Sequence, residues 1–193
     1  MRRLALAAVL LLAGCPLLAA CTVTPPPDTA YVPGNMNTMN PILEPGAALN
    51  FAAWALAVPS RTRGNAISGA YAMAAVDYLA GYVATSPRFM GISRFAVQRL
   101  LAGREEERRV LGVATGATST QVVNDLLGAY RGLARHDAAA ARAALPANVF
   151  TFGTERTITV LASLPPMPVA SGALSAIAAQ YNGGRYLYCP LCM

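Results

Sequence analysis

The sequence predicts a mainly α-helical domain, a small bundle of about five to six helices. Three observations lead there. Between Pro45 and Tyr181 apolar residues recur at the spacing of one helix face. Residues that open helices, such as Pro45, Asn65 and Ser86-Pro87, stand at the heads of these stretches. Alanine, the strongest helix former, is abundant within them.

Residues 45–58, PGAALNFAAWALAV, form the first expected helix. Its pattern is apolar on nearly every side, which predicts burial all round, with Trp54 at the core. PSRTRGN makes a turn, and Asn65 caps a second helix over residues 66–85. Ile67, Tyr71, Tyr78 and Tyr82 fall in one narrow arc of it. The tyrosines are either a surface stacking stripe for sugar or peptide, or a core rim with hydroxyls reaching water. Packing is the favoured reading.

A third helix is expected from Ser86-Pro87 to about Ala102, with Phe89, Ile92, Phe95, Ala96 and Leu100 on its apolar side and Gly103 interrupting it. REEERRVLG then reads as a solvated helical face, with Glu105 and Arg109 as an i,i+4 pair. GVATGATST resembles a phosphate cradle only in its Gly/Thr content. No Gly-Lys-Ser/Thr follows, so a loop ending in an N-cap is the better reading. Residues 120–135 give the clearest amphipathic helix. Val122, Val123, Leu126, Leu127, Tyr130, Leu133 and Ala134 share one arc. Asn124, Asp125, Gly128, Arg131 and Arg135 share the other. AAAARAAL is a short helix ended by Pro146.

NVFTF and TITVL, flanking GTER, allow two structures. One is a short β-hairpin near residues 149–161; the other is a loop and a helix capped by Thr154. PPMP is a stiff connector, residues 171–181 a last short helix, and Asn182-Gly183-Gly184 its stop.

The N-terminus supplies an address. Arg2 and Arg3 precede an apolar run from Leu4 to Ala20, the pattern of an export signal. Leu18-Ala19-Ala20-Cys21 resembles a lipobox, the motif of bacterial lipoproteins. The resemblance covers 21 of 193 residues and implies cleavage before Cys21 and acylation of its thiol. Leu12 to Cys15 is a second lipobox-like stretch. Processing at Cys15 would leave apolar residues 16–20 after the lipid, so Cys21 is preferred over its competitor Cys15. The run is also short, with Pro16 inside, against the ~20 residues of a spanning helix. The domain organisation expected is a signal peptide over 1–20, a Pro/Asn-rich tether over 21–41, a helical domain over 42–182 and a tail over 183–193. By the same resemblance several acyl chains anchor the protein stably in the membrane. Thr22 after the cysteine favours the outer membrane in the enteric sorting pattern.

Removing Arg2 and Arg3 leaves 13 arginines against 9 acids, and the chain has no lysine. The charge is spread out and no arginine cluster interleaves with aromatics, which argues against nucleic acid as a partner. The single histidine, His136, stands beside Asp137, but chain neighbours seldom face each other and no Gly-x-Ser-x-Gly elbow exists. Asp77, inside an apolar helix, is the most informative acid. It is either exposed or buried with a hydrogen-bonded partner. Cys189 and Cys192 form a C-x-x-C at the chain's end, outside the βαβ context of thiol oxidoreductases and short of four zinc ligands. A local disulfide is expected in an oxidising compartment. No catalytic residue, metal site or cofactor is assigned. The function expected is a lipid-anchored protein of the cell envelope, facing the periplasm, whose helical domain binds or scaffolds an envelope protein or cell-wall partner. The alternative is a lipid-anchored periplasmic hydrolase or thiol-redox enzyme using His136 or the Cys189/Cys192 pair.

Overall fold

The computed structural model describes residues 26–32 and 43–186, with side chains up to Gly183. These residues fold into a helical bundle, as the sequence predicts. The α-helices among them are α1 Pro45–Ala57, α2 Ala66–Thr85, α3 Arg94–Leu111, α4 Ser119–Ala134, α5 Ala138–Ala143, α6 Thr154–Ala162 and α7 Pro168–Tyr186. Single 3-10 turns at Pro59–Arg61 and Pro87–Phe89 flank α2.

The centre of the bundle is α2. Its residues are small or apolar on every side, so no face prefers water and the helix is surrounded. It packs against α1, α3, α4 and α6, while α7 lies on both α1 and α3. Every residue from Ala72 to Gly81 is buried, Asp77 among them. Asn65 caps α2 by accepting from the Ser68 amide at 3.0 Å. Thr118 caps α4, and the Gln121 side chain reaches back to the Thr118 amide to close a capping box. The Gly/Thr-rich stretch before α4 is therefore a loop ending in a cap. Val122, Val123, Leu126 and Leu127 are fully buried along the expected arc of α4. The opposite arc is not all solvated. Its short neighbour α5 lies on it, with Ala141 beside Gly132, and burial pushes the Asp125 carboxyl up to about 6.

Several expectations need correction. The hairpin near 149–161 does not form: Val113 and Phe150 make a single bridge, and residues 154–162 are helical. The β-branched residues that suggested strand are accommodated in the helix. Thr157 and Thr159 hydroxyls donate to the carbonyls of Gly153 and Glu155 one turn back. The third helix starts at Arg94 behind a Ser93 cap, not at Ser86, and it runs through Gly103. A Cβ at Gly103 would stand 2.7 Å from the Ala170 Cα, so this glycine lets α7 approach α3 closely. Helix α7 likewise continues past Asn182-Gly183-Gly184. Its last described turns are held by Tyr181 stacked on Phe89 at 4.9 Å and by Asn182 Nδ2 donating to Asn50 Oδ1 at 2.9 Å. Trp54 is not in the core; it is 49% exposed and lies under the Arg61 guanidinium. The buried face of α1 is instead Ala48, Leu49, Ala52, Ala55 and Leu56. Phe95, placed on the apolar side of α3, also faces solvent.

Candidate functional site

The run REEERR is the part of the sequence whose structure departs furthest from expectation. Taken from Leu100, positions 103, 104, 107 and 111 complete one helical face, and that face is inside. Arg104 and Glu107 therefore occupy core positions, while Glu105 stays outside, 3.8 Å from the Arg104 guanidinium. Arg108, on the next column, reaches α2. Its Nε donates to Asp77 Oδ2 at 2.7 Å and its Nη2 to Oδ1 at 3.2 Å, a forked pair on a fully buried carboxylate. The guanidinium also donates to the Ala117 carbonyl and the Ser119 hydroxyl, which ties α2, α3 and the head of α4 together.

Arg104 carries the cluster outward. Its Nη1 donates to Ser119 Oγ at 3.2 Å and to the backbone carbonyl of Asp28 at 2.7 Å. Asp28 in turn accepts from the Ser119 amide through Oδ2 at 2.6 Å, a carboxylate at the positive end of α4. Residues 26–32, read from sequence as part of a tether, thus form a strap seated on the bundle. Tyr31 extends it: its amide donates to Thr120 Oγ1 and its carbonyl accepts from Asn124. Ala30 and Val32 are buried by alternation along the extended strap, and Tyr31 between them faces out. The departure from a solvated linker has a local cause. A Cβ on Gly81 would meet the Asp28 carbonyl at 2.5 Å and the Thr29 Cα at 2.7 Å, so only glycine leaves room for the strap's backbone.

Gly81→Ala is accordingly expected to lift the strap. Alanine improves helix propensity by up to ~1 kcal/mol, against an overpacking cost of about 1–3 kcal/mol. The informative readout is local: amide protection of residues 28–32 should fall while far-UV helicity stays. Gly116→Ala, with open space around it, is the control. Unchanged protection in the Gly81 variant would mean that the strap is not held by this contact.

Glu107 is the unusual member. It is fully buried, and neither of its carboxyl oxygens accepts a hydrogen bond from a described residue. Burial and the neighbouring Asp77 carboxylate push its pKa well above the ordinary value of 4.5, against the opposing pull of Arg108 and Arg104. Burial and Asp77 thus favour its neutral form within the cluster.

The other residues singled out from sequence are dispersed. Tyr71 and Tyr82 are half-buried and Tyr78 is 4% exposed, so the tyrosine arc is not a surface platform. Because α2 is enclosed, these rings pack: Tyr71 edge-on to Phe51 and against Tyr130, Tyr78 on Tyr82, and Tyr82 edge-on to Phe89. His136 is exposed at a left-handed φ of 58° in the turn after α4, and its neighbour Asp137 caps α5 through the Ala140 amide. Among the described residues no group of three or more His, Cys, Asp or Glu side chains is placed to hold a metal ion, and no helix is long and apolar enough to cross a membrane. Cys15, Cys21, Cys189 and Cys192 lie outside the described residues. No family model, curated protein or solved structure matches the chain.

Arg104, Glu107, Arg108, Ser119 and Asp28 were missed by sequence reasoning. A usable signal was present. A buried acid such as Asp77 needs a buried cation, and the helical register from Leu100 puts Arg104 and Glu107 on the apolar face.

Proposed function

We propose that this chain is a lipid-anchored cell-envelope protein, acylated at Cys21, whose helical domain faces the periplasm as a binding or scaffolding unit. The lipobox-like Leu-Ala-Ala-Cys carries the reading, followed within a few residues by a strap fastened to the bundle. Pro26 is five residues from Cys21, a span of at most ~17 Å. A lipid at Cys21 would therefore hold the domain close to the bilayer in a restricted orientation. The strap's fastening by Arg104 and Ser119 supports a role in which that orientation matters. A binding partner in the envelope or cell wall fits this placement, and the outer membrane is the favoured location.

Metabolic labelling with a palmitate analogue tests the reading. The label is expected in the parent chain and in Cys15→Ser, and is expected to vanish in Cys21→Ser. Loss in Cys15→Ser alone would move the anchor to Cys15. Absence of label from the parent would remove the anchored reading.

A further inference from the structure

An open groove of about 550 Å³ lies at the junction of α2 and α3. Val83, Phe89, Ile92 and Val97 give it an apolar lining, and Met90 and Arg94 stand at it too. Met90 is 83% exposed. Phe95, beside Arg94 in the first turn of α3, is 73% exposed, and the Arg99 guanidinium stands 5.9 Å from its ring centroid. Two large apolar side chains so open to solvent, on a turn and a helix start, are not explained by packing within the bundle.

The stretch of sequence that carries them has charge of one sign. From Tyr78 to Arg104 the chain carries Arg88, Arg94, Arg99 and Arg104 and no acid. Arg104 is committed to the strap, and Arg88 is paired with Glu44 at 2.8 Å. Arg94 and Arg99 remain on the surface beside the exposed apolar pair. Apolar tips flanked by arginine are the chemistry of the interface between acyl chains and anionic headgroups.

The strap sets the distance. The Asp28 carbonyl lies against Gly81, and Thr85 at the groove is one helical turn further on, ~6 Å along α2. The strap thus touches α2 within its last two turns, the end of that helix that leads to Met90 and Phe95.

We infer that this end of the bundle is a second membrane contact: Met90 and Phe95 dip into an anionic bilayer surface while Arg94 and Arg99 meet its headgroups. The inference rests on the proposed acylation at Cys21, which brings the surface within reach. The strap and this face together define one orientation, with the far end of α1, where Trp54 lies, turned away from the membrane. Trp54 is ten residues from Glu44, ~15 Å along the helix axis from the end that carries the Arg88 ion pair.

The test uses the full chain exported from a bacterial host and reconstituted into vesicles with brominated acyl chains. One set contains phosphatidylglycerol in phosphatidylcholine, the other phosphatidylcholine alone. The mass of the N-terminal peptide reports acylation separately. The reporter is Phe95→Trp in a Trp54→Phe background; the parent, whose only tryptophan is Trp54, is the control. Bromine should remove most of the reporter's emission in the anionic vesicles and much less in the zwitterionic ones. Arg94→Gln with Arg99→Gln, or high salt, should restore it, and Trp54 should stay bright. An acylated chain whose reporter stays bright overturns the inference and leaves the anchored reading standing. Equal quenching in both vesicle sets, or quenching of Trp54, also overturns it. A peptide without acylation at Cys21 removes the anchored reading and this inference with it.

Discussion

Asp77→Ala is expected to cost about 3–5 kcal/mol, the range for breaking a buried ion pair from one side, a large share of the ~5–15 kcal/mol that holds an ordinary domain folded. Asp77 is fully buried and Arg108 keeps 15% of its side chain exposed. The alanine would strand a guanidinium whose remaining described acceptors are one carbonyl and one hydroxyl. It would also open space against α3 inside the most enclosed helix. Asp77→Asn keeps the volume and loses the charge, so it separates the two costs. Its penalty should stay close to that of alanine if the ion pair dominates. The double variant Asp77→Ala with Arg108→Met is expected to recover part of the loss, because a buried pair can be replaced by apolar groups more cheaply than it can be halved. Chemical denaturation of the four proteins measures this. A loss below about 1 kcal/mol for Asp77→Ala, the level of an exposed pair, would show that the fork does not hold α2 to α3. A double variant no better than the single would say the same.

How far the sequence disclosed this architecture depends on whether a residue's neighbours are near it in the chain. Asn65 and Pro45 act within one turn, and their local chemistry marks the starts of α2 and α1 in both sequence and structure, while the cap expected at the end of the Gly/Thr-rich loop is Thr118. The apolar arc of α4 was legible because the helix has two distinct sides. The orientation of α1 was not: alanine surrounds it, so periodicity could not say whether Trp54 faces in or out. The face is chosen by packing on α2 and α7, which bury Leu49 and Ala52 instead. Charges misled for a related reason. Glu105, Glu106 and Glu107 are identical neighbours in sequence and have three fates. Glu105 is solvated, Glu106 accepts from the Val169 and Ala170 amides at the head of α7, and Glu107 is enclosed. Only the 100° step between them and the positions of α2 and α7 separate those roles. The strap was hidden in the same way, since what fixes Asp28 comes from Gly81, Arg104 and Ser119, each at least 53 residues away.

Glu107 gives the second large effect, and its sign is opposite to that of Asp77. Its pKa is raised in the folded chain and ordinary in the unfolded one. Below pH ~4.5 the carboxyl is protonated in both states, and its contribution to stability is at its most favourable. As pH rises from there the unfolded chain ionises while the folded one stays neutral, so stability falls until the raised folded pKa is passed. Glu107→Gln cannot ionise and should not show this fall, so its advantage over the parent should grow from pH 4.5 toward neutral. Glu107→Leu should go further at pH 7, because it also removes two buried carboxyl oxygens that accept no hydrogen bond from a described residue, worth about 1–3 kcal/mol. Two other carboxyls must be kept apart in the comparison. Asp125, raised by burial to about 6, adds a fall of the same sign, while Glu44, lowered by the amides of Ala47 and Gly46 and by Arg88, adds stability that is lost as pH drops. Neither differs between parent and variant, so the difference of two denaturation series isolates Glu107. An advantage that does not change with pH would mean that Glu107 titrates alike in both states. A variant that is instead less stable than its parent at neutral pH, and increasingly so as pH rises, would mean that Arg104 and Arg108 hold Glu107 ionised, and the cluster would then be two carboxylates balanced by two guanidinium groups.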